Sequence, residues 1–131
     1  MKLKQARKLL INYLKENFIP QNNGHSKQDD WRNIVTHCFR VEKYAYEIAN
    51  SLDLTSNEEN TVRRAAIFHD IGYCKDWKKH PIMGKEILDD LLDEDHNKSI
   101  ILNMVENHLD KKINDDNILF SILKDADILD K

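Results

Sequence analysis

The sequence predicts an all-α domain, a bundle of about six helices. Three observations carry this. Apolar residues recur at three- and four-residue spacing along most of the chain. Only three Gly and two Pro interrupt its 131 residues, a balance that favours helix over sheet. No segment alternates apolar and polar residues convincingly enough to read as a half-buried strand. The length suits one core and is too short for two. Residues 1–131 therefore read as one domain, with an N-terminal helix within 1–20 and a core over 29–130.

Each element has a local reason. Leu9, Leu10, Tyr13, Leu14 and Phe18 line a first helix that Pro20 stops, and a polar loop with Gly24 follows. Leu3, Leu9 and Leu10 suit packing on the bundle or on a second subunit equally. Asp29 or Asp30 caps a second helix running to about Leu52, with Ile34, His37, Val41, Ala45 and Ile48 on one stripe. Thr55 or Ser56, with Glu58 and Glu59 in the first turn, opens a third. It carries Val62, Ala65, Ala66 and His69 and is expected to end at Gly72. Pro81 suits the first turn of a fourth, with Met83, Ile87, Leu88 and Leu91 inward. A fifth, from about Asn97, groups Ile101, Met104, Val105 and His108. Residues 114–116 break the chain before a last helix with Leu119, Ile122, Leu123, Ala126 and Asp127.

Composition excludes several classes. No apolar stretch approaches the roughly 20 residues a membrane span needs. The opening Met-Lys-Leu-Lys leads into an amphipathic pattern and not into a signal peptide. Cys38 and Cys74 form no CxxC pattern and read as reduced thiols, so a cytoplasmic setting is expected. A net charge of −3 lacks the basic surplus of a sequence-independent nucleic-acid binder.

Six positions do not fit their surroundings: His37, His69, Asp70, His80, His108 and Asp127. Most lie on or beside an apolar stripe, where ligand-type side chains are costly to desolvate unless something binds them. Alone, a histidine on such a face is usually a hydrogen-bonded core residue, and a histidine at a helix start is usually a capping or surface one. Asp125 and Asp130 read as a charged, solvated face. The pair His69-Asp70, ending the apolar run Ala65 to Phe68, is the least ordinary. Adjacent helical residues point about 100° apart, so both reach one ion only at a helix end or through a bridging carboxylate. Imidazole and carboxylate together suit Fe, Mn or Zn. Six such ligands exceed the needs of one tetrahedral zinc and suit two ions, a pairing that serves phosphoryl transfer.

With these residues in view, the chain resembles the HD superfamily, named for its His-Asp pair. The ordered pattern of His37, then His69-Asp70, then Asp127 carries the likeness across residues 29–130. So do the stretches AAIFHDIGY, HPIMGKEIL, ENHLD and KDADILDK. The resemblance implies a helical bundle and metal-dependent hydrolysis of a phosphoester or phosphoanhydride, most often in a nucleotide, by metal-activated hydroxide. It implies that His37, His69, Asp70 and Asp127 hold a first ion, and that Asp70 bridges to a second held by His80 and His108. Fe or Mn leads the candidates, with Zn, Ni, Co and Mg behind them.

Phosphate also needs cations outside the metal shell. Lys75 is the first candidate, for substrate binding and beside Asp70 for catalysis, followed by Arg40. Lys78, Lys79, Lys111 and Lys112 rank lower, being ordinary surface residues on their face. The residues after His108 lack the Gly-Tyr-Pro motif of the cyclic-di-GMP phosphodiesterases. The chain is also short for the deoxynucleoside triphosphohydrolase and alarmone branches. It is similar in size and ligand set to the branch that cleaves dinucleoside tetraphosphates, without a motif that fixes that substrate. Two other classes share the ligand pattern: a diiron oxygenase, and a catalytically silent module that binds metal or nucleotide. The expected partner is a small phosphorylated molecule, with no membrane and no nucleic acid.

Overall fold

The computed structural model describes residues 1–110 and 117–130; Lys111 and Lys112 lie outside the described residues. The elements are α1 (Leu3–Asn17), a single turn α2 (Ser26–Asp29), α3 (Trp31–Asn50), α4 (Ser56–Phe68), a 3₁₀ turn (Ile71–Cys74), α5 (His80–Leu91), α6 (Lys98–Glu106) and α7 (Ile118–Leu129). No strand occurs among the described residues. α3 packs on α4 and α7, and α5 packs on α6 and the 3₁₀ turn.

The helices start where the sequence places caps. The Asp30 carboxylate accepts from the Arg32 N–H at 3.0 Å and opens α3. Thr55 and Glu58 form a reciprocal capping box at α4. Pro81 sits in the first turn of α5, where a missing N–H costs nothing. α1 buries Ala6, Leu10 and Leu14 completely in the shared core, so this face packs on the bundle. A polar clamp adds to that packing. The buried Glu42 of α3 accepts two hydrogen bonds from Arg7 of α1, both at 2.7 Å, and two from Arg63 of α4, at 2.9 and 3.1 Å.

Three expected boundaries move. α3 ends at Asn50, and Leu52 is exposed. α4 ends at Phe68 and not at Gly72. The chain leaves the helix at Asp70 (φ −107°, ψ 14°) and tightens into the 3₁₀ turn, whose first bond runs from the Tyr73 N–H to the Asp70 carbonyl at 3.1 Å. Any side chain at position 72 would obstruct this tight arrangement. Its Cβ would lie 2.0 Å from the His80 carbonyl oxygen and 2.7 Å from the Gly84 nitrogen. Glycine there lets the turn after the His-Asp pair press directly on the start of α5. Finally, α6 ends at Glu106, so His108 lies in the turn beyond the helix.

Candidate metal centre

The six candidate ligands come from element ends that converge. His37 stands on α3, two turns from its start. His69 caps the C-terminus of α4, and Asp70 opens the 3₁₀ turn. His80 starts α5, His108 follows α6, and Asp127 lies in the last turn of α7. His69 is 0% exposed and Asp70 2%.

Asp70 is the pivot. Its Oδ1 lies 3.3 Å from the Nε2 atoms of both His80 and His108. Its Oδ2 lies 3.2 Å from His37 Nε2 and 3.5 Å from His69 Nε2. Asp127 Oδ1 joins the second set, 3.0 Å from His37 Nε2 and 3.3 Å from His69 Nε2. Two ligand groups therefore share one carboxylate: His37, His69 and Asp70, and Asp70, His80 and His108. The helix end and the carboxylate's two oxygens together resolve the 100° divergence of adjacent helical residues.

The imidazole tautomers follow from their partners. His69 Nδ1 lies 2.6 Å from the Ala66 carbonyl, His80 Nδ1 2.7 Å from the Trp77 carbonyl, and His108 Nδ1 2.6 Å from the Val105 carbonyl. A carbonyl only accepts, so each Nδ1 carries the proton and donates it. His37 Nδ1 donates to Asp130 Oδ2 at 2.7 Å. All four Nε2 lone pairs consequently point at one another, with 3.1 Å between those of His37 and His69 and 3.2 Å between those of His80 and His108. Opposed lone pairs repel unless a cation lies among them. Donors about 2.0–2.2 Å from a common ion stand about 3–3.5 Å apart, the spacing seen here. The site fits divalent metal.

The neighbouring carboxylates favour the charged forms of His37 and His69. Burial pulls the His37 imidazole down, yet Asp127 and Asp70 hold it up at about 9. Burial also opposes the charged form of His69, but the adjacent Asp70 charge raises it well above the ordinary value. Asp70 is pushed up by burial and pulled further down chiefly by the adjacent His69, ending well below the usual carboxylate range. Asp127 falls likewise, with His37 and His69 outweighing burial.

A cavity of about 430 Å³ opens over the cluster, with Ser26, Lys27, Asn33, Thr36, Arg40 and Tyr73 on its wall. Of the cations expected from sequence, Arg40 lines it. Lys75 does not: the 3₁₀ turn carries it away to a second cavity beside Tyr13 and Met83. Its position five residues after Asp70 in sequence misled, because a tight turn reverses direction within that span. Lys78 and Lys79 are also absent from the wall.

Two residues outside the expected set belong to the site. Lys27 Nζ donates to Asp70 Oδ2 at 2.9 Å and lies 4.6 Å from the centre of the Tyr73 ring. Asp130, expected on a solvated face, has a side chain only 8% exposed and accepts from both His37 Nδ1 and Arg40 Nε, the latter at 2.6 Å. A signal existed for Asp130, because residues three apart share a helix face and Asp127 was already a candidate. Lys27, in a polar loop with no periodicity, gave none.

A sequence profile of the HD domain matches residues 34–131, about three-quarters of the chain. The chain belongs to the HD domain family. Membership places it with metal-dependent domains of the phosphohydrolase type, and the two histidine–aspartate groups are in keeping with divalent metal. The chain is also similar to an uncharacterized protein of Methanocaldococcus jannaschii, at 37% identity over 62 residues. That match covers 45% of this chain and 37% of the relative's length. No solved structure matches the HD domain described here. α1 and α2 precede the matched span, so the Lys27 contact lies outside the part the profile describes.

Proposed function

We propose that this HD domain is a phosphohydrolase acting on a small phosphorylated metabolite, a nucleotide first among the candidates, with two divalent transition-metal ions, Fe or Mn leading. The sharing of Asp70 between two ligand groups is the observation that carries the reading. His37, His69, Asp70 and Asp127 would hold one ion, and His80 and His108, sharing Asp70, the other. Paired ions generate a nucleophile from water at neutral pH and stabilise charge on the phosphoryl oxygens.

The protein's own groups do the rest. The three backbone carbonyls and Asp130 fix the imidazoles with Nε2 inward. Arg40, on the cavity wall, supplies a fixed positive charge for an anionic substrate, and Asp130 orients it. Lys75 takes no part, because it does not line this cavity.

The test is metal content and turnover in one preparation. Protein reconstituted anaerobically with Mn²⁺ or Fe²⁺ should hold near two equivalents per chain and release phosphate from members of a nucleotide and phosphoester panel. Asp70→Ala should stay helical, lose most of its metal and lose turnover. Full metal-dependent turnover in that variant sinks the mechanism. Nucleotide binding without turnover under every metal would favour a binding module instead.

A further inference from the structure

Lys27 has no role in the reading above, and its placement calls for one. α2 is a single turn, but its frame is well tied. The Gln21 N–H donates to the Gln28 carbonyl at 2.9 Å, and Asn33 Nδ2 to the Ser26 carbonyl at 2.9 Å. The Asp29 carboxylate accepts from the N–H groups of Asn23 and Gly24, both at 2.9 Å. From this frame Lys27 reaches over Tyr73 to Asp70 Oδ2, the oxygen that also faces His37 and His69. Among the described residues it is the lysine or arginine within ion-pair distance of Asp70. Its side chain keeps 29% exposure and lines the cavity, so it has somewhere else to go.

A divalent ion approaching the donors around Oδ2 meets an ammonium already on that oxygen. Both charges compete for one carboxylate. We propose that Lys27 is a tethered surrogate cation: it occupies Asp70 in the metal-free protein, gives up that oxygen when metal binds, and swings into the cavity to contact the anionic group of the substrate. Its long, flexible stem and point charge suit this exchange. The idea rests on the metal-dependent reading but makes a separate claim, that metal loading and anion binding are linked through one side chain.

Two titrations test it without turnover, so a failed activity screen and a failed surrogate are distinguishable. Mn²⁺ alone is titrated into metal-free wild type, Lys27→Met and Lys27→Arg, with free Mn²⁺ read by EPR. Inorganic phosphate is then titrated into the Mn²⁺-loaded proteins. Removing a charged hydrogen-bond competitor should tighten Mn²⁺ binding by about tenfold in Lys27→Met and weaken phosphate by about as much. Lys27→Arg should retain both wild-type affinities more closely. Damage to the fold would weaken metal binding, so the direction of the first effect separates the role from a structural one. Lys27→Gln repeats both titrations should the methionine variant lose helicity. Mn²⁺ affinity that is unchanged or weaker, or phosphate affinity equal to wild type, overturns the proposal.

Discussion

Asp130 shows how one side chain organises others. It binds the Nδ1–H of His37 and the Nε–H of Arg40 with its two oxygens, tying a candidate ligand and a cavity cation into one unit. Carboxylates that hold a ligand histidine commonly affect metal affinity by about 10–100-fold. Asp130→Ala is therefore expected to weaken Mn²⁺ binding within that range while the helical circular dichroism is unchanged; equal affinity would remove Asp130 from the site. At this scale the sequence was readable where chemistry clashed with periodicity, as at His37 and His69. It misled where a charge was ordinary for its surroundings. Asp130 sat among other acids, Lys27 among loop residues, and Lys75 gained undue weight from being close to Asp70 in the chain.

At the level of elements, the contact between the 3₁₀ turn and α5 fixes Asp70 relative to His80. Gly72→Ala would place a methyl group 2.0 Å from the His80 carbonyl oxygen, backbone that cannot swing aside. We expect a loss of about 1–3 kcal/mol in denaturant unfolding, together with reduced metal content from a displaced His80. Wild-type values for both would mean the turn yields more easily than its packing implies.

The Glu42 clamp gives a pH prediction. Burial pushes the carboxyl up, but Arg7 and Arg63 win and hold it below the ordinary glutamate range. A depressed folded-state pKa means its contribution is fully present above the unfolded pKa, about 4.3, and is lost as pH falls through the folded value. Glu42→Gln should cost about 1–3 kcal/mol at pH 7, discounted because Arg7 is 35% exposed, and the difference from wild type should shrink in acid. A penalty that persists unchanged below pH 4 would contradict this account. Helix starts were legible because caps and Pro81 act locally. The end of α4 was not, because the close approach of Gly72 to the start of α5 is set from outside the segment.

For the molecule as a whole, the candidate ligands lie on or at the ends of five helices and the 3₁₀ turn and span residues 37–127, so metal would act as a cross-link among packed helix ends. Ligand binding to the folded state alone adds RT ln(1 + [L]/Kd), about 2.7 kcal/mol at one hundred times Kd. Thermal unfolding of chelator-treated protein should therefore shift upward with added Mn²⁺ and keep rising with its concentration. A midpoint indifferent to metal would show that the cluster does not hold it in solution. The all-α architecture was legible from periodicity and composition together, whereas α1, which precedes the HD span, had two plausible partners until its leucines and Arg7 were seen to face the bundle. Among the described residues no helix is long and apolar enough to cross a membrane.

The tautomers set by backbone carbonyls carry one more consequence, which concerns mutational tolerance. Every residue type supplies a carbonyl, so positions 66, 77 and 105 can change identity without altering the proton position on His69, His80 or His108, provided the backbone path survives. His37 alone depends on a side chain, Asp130, that a single codon change can remove. Tolerance is thus uneven around the four imidazoles, and genetic drift that spares the candidate ligands can still disturb their arrangement through its one replaceable support.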